Sequence, residues 1–93
     1  MQPPGNNFAI AYLDSVVESD IPDLPIKAKG IIKKAIEQRL SIDPVGFGKP
    51  LRYSLKGLRR LRVGDYRVIY SIDIDKTVVT ITAIKHRKVV YEF

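Results

Sequence analysis

The succession of hydrophobic periods along this 93-residue chain predicts an α+β domain. The expected order is an N-terminal strand, two helices, then a three- to four-stranded antiparallel meander. Three observations carry that reading. A short apolar run precedes residue 14, apolar positions recur at three- and four-residue steps from 26 to 40, and after Pro50 side chains alternate between apolar and polar. With 45% apolar residues the chain can bury one modest core, so 8–93 reads as a single domain. Residues 1–7 are polar, rich in Pro and Asn, and read as a flexible tail rather than a signal peptide.

Each element has its own signal. Phe8 to Leu13 is apolar and reads as a buried strand. Ser15 with Glu18 three residues on forms a capping-box pattern, predicting a short helix that Pro22 and Pro25 separate from the next. From Ile26 to Leu40 the positions Ala28, Ile31, Ile32, Ala35, Ile36 and Leu40 make one helix face, with Lys27, Lys33, Lys34, Glu37 and Gln38 outward. Gly30 weakens that helix. Residues 43–50, with Asp43-Pro44, Gly46, Gly48 and Pro50, read as a loop. Arg59–Val63, Tyr66–Ile72 and Thr77–Ile84 read as strands, and Val89-Val90-Tyr91 adds a last strand or packs on the sheet.

Counting across the hairpins assigns faces. A two-residue turn at Gly64-Asp65 sets Val63 opposite Tyr66, Arg62 opposite Arg67 and Arg60 opposite Ile69. A four-residue loop over 73–76 sets Ile72 opposite Thr77, Val68 opposite Ile81 and Arg67 opposite Thr82. One face then carries Leu61, Val63, Val68, Tyr70, Ile72, Val79, Ile81 and Ala83 and must lie against the helices. The other carries Arg60, Arg62, Arg67, Ser71, Thr80, Thr82 and His86. Arginines placed directly opposite one another repel, and such a broken local rule marks a functional site where an anion can sit between them. The alternative is that Asp65, Glu92 or the acidic N-terminal segment neutralises them.

Charge along the chain agrees. Net charge is +6; residues 1–25 hold four acids and no Lys or Arg, whereas 49–67 hold seven bases (Lys49, Arg52, Lys56, Arg59, Arg60, Arg62, Arg67) against Asp65 alone. Such a stripe suits phosphates or an acidic partner. The absence of cysteine fits a reducing cytoplasm, and no stretch reaches transmembrane length. One histidine, no cysteine and scattered carboxylates argue against a bound metal, no glycine-rich phosphate loop is present, and no cofactor is expected. RNA cleavage remains open, because RNA carries its own nucleophile in the 2′-hydroxyl. Fixed guanidinium groups can stabilise the charged phosphorane, and His86 and Tyr91 are candidates for proton transfer or base stacking.

The run Gly48 to Tyr70 (GKPLRYSLKGLRRLRVGDYRVIY), followed by Lys85-His86-Arg87-Lys88-Val89-Val90-Tyr91, closely resembles the RelE/ParE toxin superfamily. Asp20-Ile21-Pro22-Asp23-Leu24-Pro25 and the helix through Lys33-Lys34-Ala35-Ile36-Glu37 resemble it too. For the RelE branch the resemblance implies a cytoplasmic toxin that cuts messenger RNA on the ribosome without metal and is neutralised by a cognate antitoxin. It implies that Arg67 stabilises the scissile phosphate, that Arg87 is a second catalytic arginine, and that Tyr91 stacks on or activates the nucleotide. Arg60 and Arg62 stand where some members have lysines, and Arg59 and Lys56 complete the expected RNA-binding set. Strand alternation favours His86 in the site and the resemblance favours Arg87; a bulge or strand end near Lys85 would reconcile them. The ParE branch implies instead a DNA gyrase inhibitor, and a third reading is an attenuated, non-enzymatic antitoxin-binding partner.

Overall fold

The computed structural model describes residues 7–52 and 57–89. The first strand, β1 (Ala9–Tyr12), is followed by a single wide helical turn, Val16–Asp20. Ser15 makes no side-chain cap there, which corrects the capping-box expectation. Its backbone is already helical (φ −60°, ψ −32°), whereas a capping side chain works from an extended residue. The turn is wound five residues apart, with the Ile21 N–H donating to the Val16 carbonyl at 2.8 Å.

The main helix α1 (Ile26–Ala35) runs on through wider turns over Ile36–Leu40. Ile32, Ala35, Ile36 and Leu40 are buried, as the periodicity predicts, but Ile31 is 61% exposed. It lies one residue round from the Ile32 stripe, on the rim. The predicted loop over 43–50 contains two short elements, helix α2 (Pro44–Phe47) and strand β2 (Lys49–Pro50). The Asp43 carboxylate accepts from the Gly46 N–H at 2.9 Å, and Pro44 occupies the first helical position.

The remaining strands are β3 (Arg59–Val63), β4 (Tyr66–Asp73) and β5 (Val78–His86). They form the antiparallel meander, and the sheet order is β1-β5-β4-β3-β2, with β1 parallel to β5 at one edge. Val16, Leu24 and the buried residues of α1 pack onto Leu61, Val63, Val68, Tyr70, Val79, Ile81 and Ile84, so one face of the sheet is covered by helix.

The first hairpin has the predicted register: Val63 opposite Tyr66, Arg62 opposite Arg67, Arg60 opposite Ile69. Gly64 has φ +56°, and it is the only left-handed residue of this turn, as the first position of a type II′ hairpin requires.

The second register is corrected. Asp73 pairs Val78 and Ile72 pairs Val79, so the loop is 74–77, not 73–76. The Asp73 carboxylate accepts from the Lys76 N–H at 3.0 Å, and Thr77 takes a left-handed φ of 52°, which turns the chain one residue later. A bulge follows: Tyr70 pairs Ile81, yet Ile69 pairs Ala83, leaving Thr82 as the extra residue. Beyond it Arg67 faces Lys85, not Thr82, and Ile84 takes the core position. β5 ends at His86, so Val89 is not in a strand; Val90, Tyr91 and Glu92 fall outside the described residues, as do residues 1–6 of the expected tail. No helix of the described residues is long and apolar enough to cross a membrane.

Candidate functional site

Arg62, Arg67 and Lys85 lie side by side across β3, β4 and β5, because Arg67 is the register partner of both others. Lys85 escaped the sequence reading, since nothing in the alternation of β5 betrays the bulge. Its charge is already used: its ammonium lies 2.7 Å from the Asp20 carboxylate, which also accepts the Ile84 N–H at 2.8 Å. Asp20 is 8% exposed and thereby satisfies the edge of β5 just past the end of β1.

The arginines are not neutralised in this way. Among the described residues no carboxylate pairs with Arg60, Arg62 or Arg67. The Arg67 Nε is buried and has no hydrogen-bond partner there. Of the acids expected as neutralisers, Asp20 serves Lys85, Asp65 lies 3.6 Å from Arg87 with both side chains exposed, and Glu92 is outside the described residues. Two guanidinium groups facing one another in a partly desolvated cleft repel, and an anion between them would relieve that repulsion.

Arg87 reaches the same place. Its N–H donates to the Asp65 carbonyl at 2.7 Å, which pins the end of β5 over the Gly64-Asp65 turn. Arg62, Gly64, Tyr66, Arg67 and Arg87 then line one cleft of about 150 Å³. Gly64 contributes an open wall, because a Cβ there would meet nothing within 4 Å.

His86 goes elsewhere, which corrects its expected position on the arginine face. The bulge turns it to the side of Tyr66, where the two rings meet edge to face at 5.2 Å. Its Nδ1 accepts the Lys88 N–H at 3.1 Å, which leaves Nε2 as the ring nitrogen facing away from that bond.

Arg59 also leaves the set. It shares the helix-side face with Tyr70, its register partner, and donates to the carbonyls of Val45 at 2.8 Å and Gly48 at 3.0 Å. It therefore holds the α2–β2 segment against the sheet. Tyr70 completes that joint by donating to the Pro44 carbonyl at 2.6 Å. Burial raises the Tyr70 phenol above its ordinary value of 10.0; the Arg59 hydrogen bond and charge pull it back, and Asp43 pushes it up. Lys56 and Tyr91 lie outside the described residues.

Arg60 opens onto a second and larger cleft of about 350 Å³, lined by Arg39, Phe47, Lys49, Arg60, Leu61 and Arg62. Arg39 and Phe47 were missed as site residues, because one reads as an outward helix position and the other as loop. Among the described residues no three His, Cys, Asp or Glu side chains come together to hold a metal ion. What the two clefts offer is fixed guanidinium groups, whose forked donors match phosphate oxygens.

The family model that matches the chain is described as the ParE toxin of type II toxin–antitoxin system, parDE, and covers residues 14–91. The chain is similar to Toxin RelG of Mycobacterium tuberculosis, 36% identical over 72 residues, which is 77% of this chain and 83% of that protein. It is also similar to Toxin RelE of the same organism, 39% identical over 72 residues, or 77% of this chain and 74% of that protein. Among solved structures it is similar to a chain of the toxin–antitoxin complex RelBE2 from Mycobacterium tuberculosis. That likeness has a TM-score of 0.80 at 31% identity, covering 87% of this chain and 92% of the other.

Proposed function

The chain belongs to the ParE toxin family of type II toxin–antitoxin systems, within the RelE/ParE superfamily, and from its likeness to RelE-type toxins we propose that it is an endoribonuclease that cuts messenger RNA on the ribosome. The observation that carries the reading is the cleft in which Arg62, Arg67 and Arg87 converge, with no carboxylate on Arg62 or Arg67 among the described residues. The 2′-oxygen attacks the adjacent phosphorus as the bond to the 5′-oxygen breaks, giving a cyclic phosphate and a free 5′-hydroxyl. One proton leaves the 2′-hydroxyl and one joins the 5′-oxygen, so the protein's main task is to stabilise the doubly charged phosphorane between them. Arg67, buried at Nε and central in the row, takes that role; Arg62 and Arg87 flank it. By resemblance, Tyr91 stacks on or activates the nucleotide. His86, with Nδ1 engaged, has Nε2 left to offer.

The partners follow from the same charges. A cognate antitoxin with an acidic segment covers the arginine clefts and blocks them, which the +6 net charge favours, and a relative of known structure is a toxin–antitoxin complex. Messenger RNA on the ribosome is the target, so the cytoplasm is the site of action. The matching family model is that of the ParE branch, which makes inhibition of DNA gyrase the second reading.

Induced expression with mapping of message ends during translation, alongside a gyrase supercoiling assay, separates them. The expected result is growth arrest with breaks inside translated messages, and Arg67→Ala lowering the cleavage rate on the order of a hundredfold or more. Intact messages with blocked supercoiling would select the gyrase reading instead. Tight antitoxin binding with neither effect would select a non-enzymatic partner.

A further inference from the structure

Apart from Arg62, the larger basic cleft plays no part in stabilising the scissile phosphate. Its walls come from four elements: Arg39 from the end of the main helix, Phe47 from the end of α2, Lys49 from β2, and Arg60 and Arg62 from β3. Lys49 and Arg60 are register partners, so a second pair of like charges stands opposite across this ladder. Among the described residues none of these four basic side chains has a carboxylate partner. Phe47 is 51% exposed at the mouth of the cleft, although it is the kind of side chain a small domain normally buries. It is rigidly carried: the Asp43 carboxylate caps α2, and the Phe47 N–H donates to the Asp43 carbonyl at 3.1 Å.

Arg62 lines both clefts, so the two are adjacent along β3. An exposed phenyl ring beside fixed cations is the arrangement that holds single-stranded nucleic acid, the ring stacking on a base and the cations following the backbone. We infer that the cleft of Arg39, Phe47 and Lys49 is a second nucleotide subsite, which takes the RNA residue flanking the scissile step by stacking its base on Phe47 and binding its phosphate through Lys49 and Arg60. The inference rests on the ribonuclease reading for the direction of the strand, but the subsite itself is a statement about binding and can be tested without cleavage.

The experiment measures fluorescence anisotropy of 2′-O-methyl RNA, which cannot be cut, as a dinucleotide and as a pentanucleotide. Wild type should bind the pentanucleotide more tightly than the dinucleotide. Phe47→Ala should weaken the pentanucleotide roughly tenfold, as loss of one stacked base does, while leaving the dinucleotide unchanged. Phe47→Leu, which keeps apolar bulk without a ring face, should behave like Phe47→Ala, and Arg39→Gln with Lys49→Gln should lower the salt dependence of the pentanucleotide alone. Both Phe47 variants should melt as the wild type does. Equal affinity for the two lengths, or a pentanucleotide indifferent to Phe47, would overturn the subsite. So would displacement of the pentanucleotide by polyglutamate at the same concentration from wild type and Phe47→Ala, since the cleft would then merely collect anions as an acidic polypeptide requires. Loss of dinucleotide binding in Arg67→Ala reports on the scissile cleft separately, so failure of either site is distinguishable.

Discussion

Two neighbouring arginines on β3 do opposite things, and stability separates them. Arg59 donates two charge-assisted hydrogen bonds to backbone carbonyls, so Arg59→Ala should lower stability by about 2 kcal/mol, read as a drop in the urea midpoint at unchanged slope. Arg62 faces another cation across the strand and has no carboxylate partner among the described residues, so Arg62→Ala should cost nothing at low ionic strength and lose message cleavage instead. Tyr70 adds a pH signature. Its phenol is raised above 10.0 chiefly by burial, so its contribution is fully present below that value and is lost as pH rises through the higher folded one. Tyr12 is shifted in the same direction, by burial first and the charge of Glu37 next. Alkaline denaturation above about pH 10 should therefore be shallower in Tyr70→Phe but not abolished, at the expense of about 1 kcal/mol near neutrality from the lost bond to Pro44.

Elements were read from the sequence as well as their local signals allowed. The Arg59–Val63 strand and its hairpin were fully legible, because Gly64 dictates a two-residue turn and that turn fixes every facing pair behind it. The end of β5 was not. A bulge at Thr82 costs no unusual residue, yet it inverts the alternation of everything after it and so moves Lys85 onto the open face and His86 off it. Arg87 lines the cleft through a backbone bond to the Asp65 carbonyl, a placement that no periodicity encodes. The loop at 43–50 hid a joint in which Gly48 is required: a Cβ there would sit 1.7 Å from the Tyr70 hydroxyl. The helix carries the reverse case. A Cβ at Gly30 meets nothing within 4 Å, so Gly30→Ala should stabilise α1 by about 1 kcal/mol, raising the melting temperature by roughly 4–8 °C in calorimetry.

On the scale of the whole molecule, charge and fold are arranged against each other. The N-terminal acids follow β1, in and beside the helical turn Val16–Asp20, and one of them, Asp20, is spent on Lys85. The basic stripe occupies the opposite side of the sheet order, on β2, β3 and β4, where Arg60, Arg62 and Arg67 keep their charges free of carboxylates among the described residues. Such an arrangement lowers the stability of the isolated chain and raises its affinity for polyanions, whether RNA or an acidic antitoxin segment. A double-mutant cycle on Arg62→Gln and Arg67→Gln, followed by urea denaturation at low ionic strength, reads that opposition as a number. The expected coupling is repulsive, about 0.2–1 kcal/mol, fading as salt is added and vanishing when inorganic phosphate fills the cleft. A coupling that is favourable, or absent at low salt, would mean that the two guanidinium groups are not held together for an incoming phosphate.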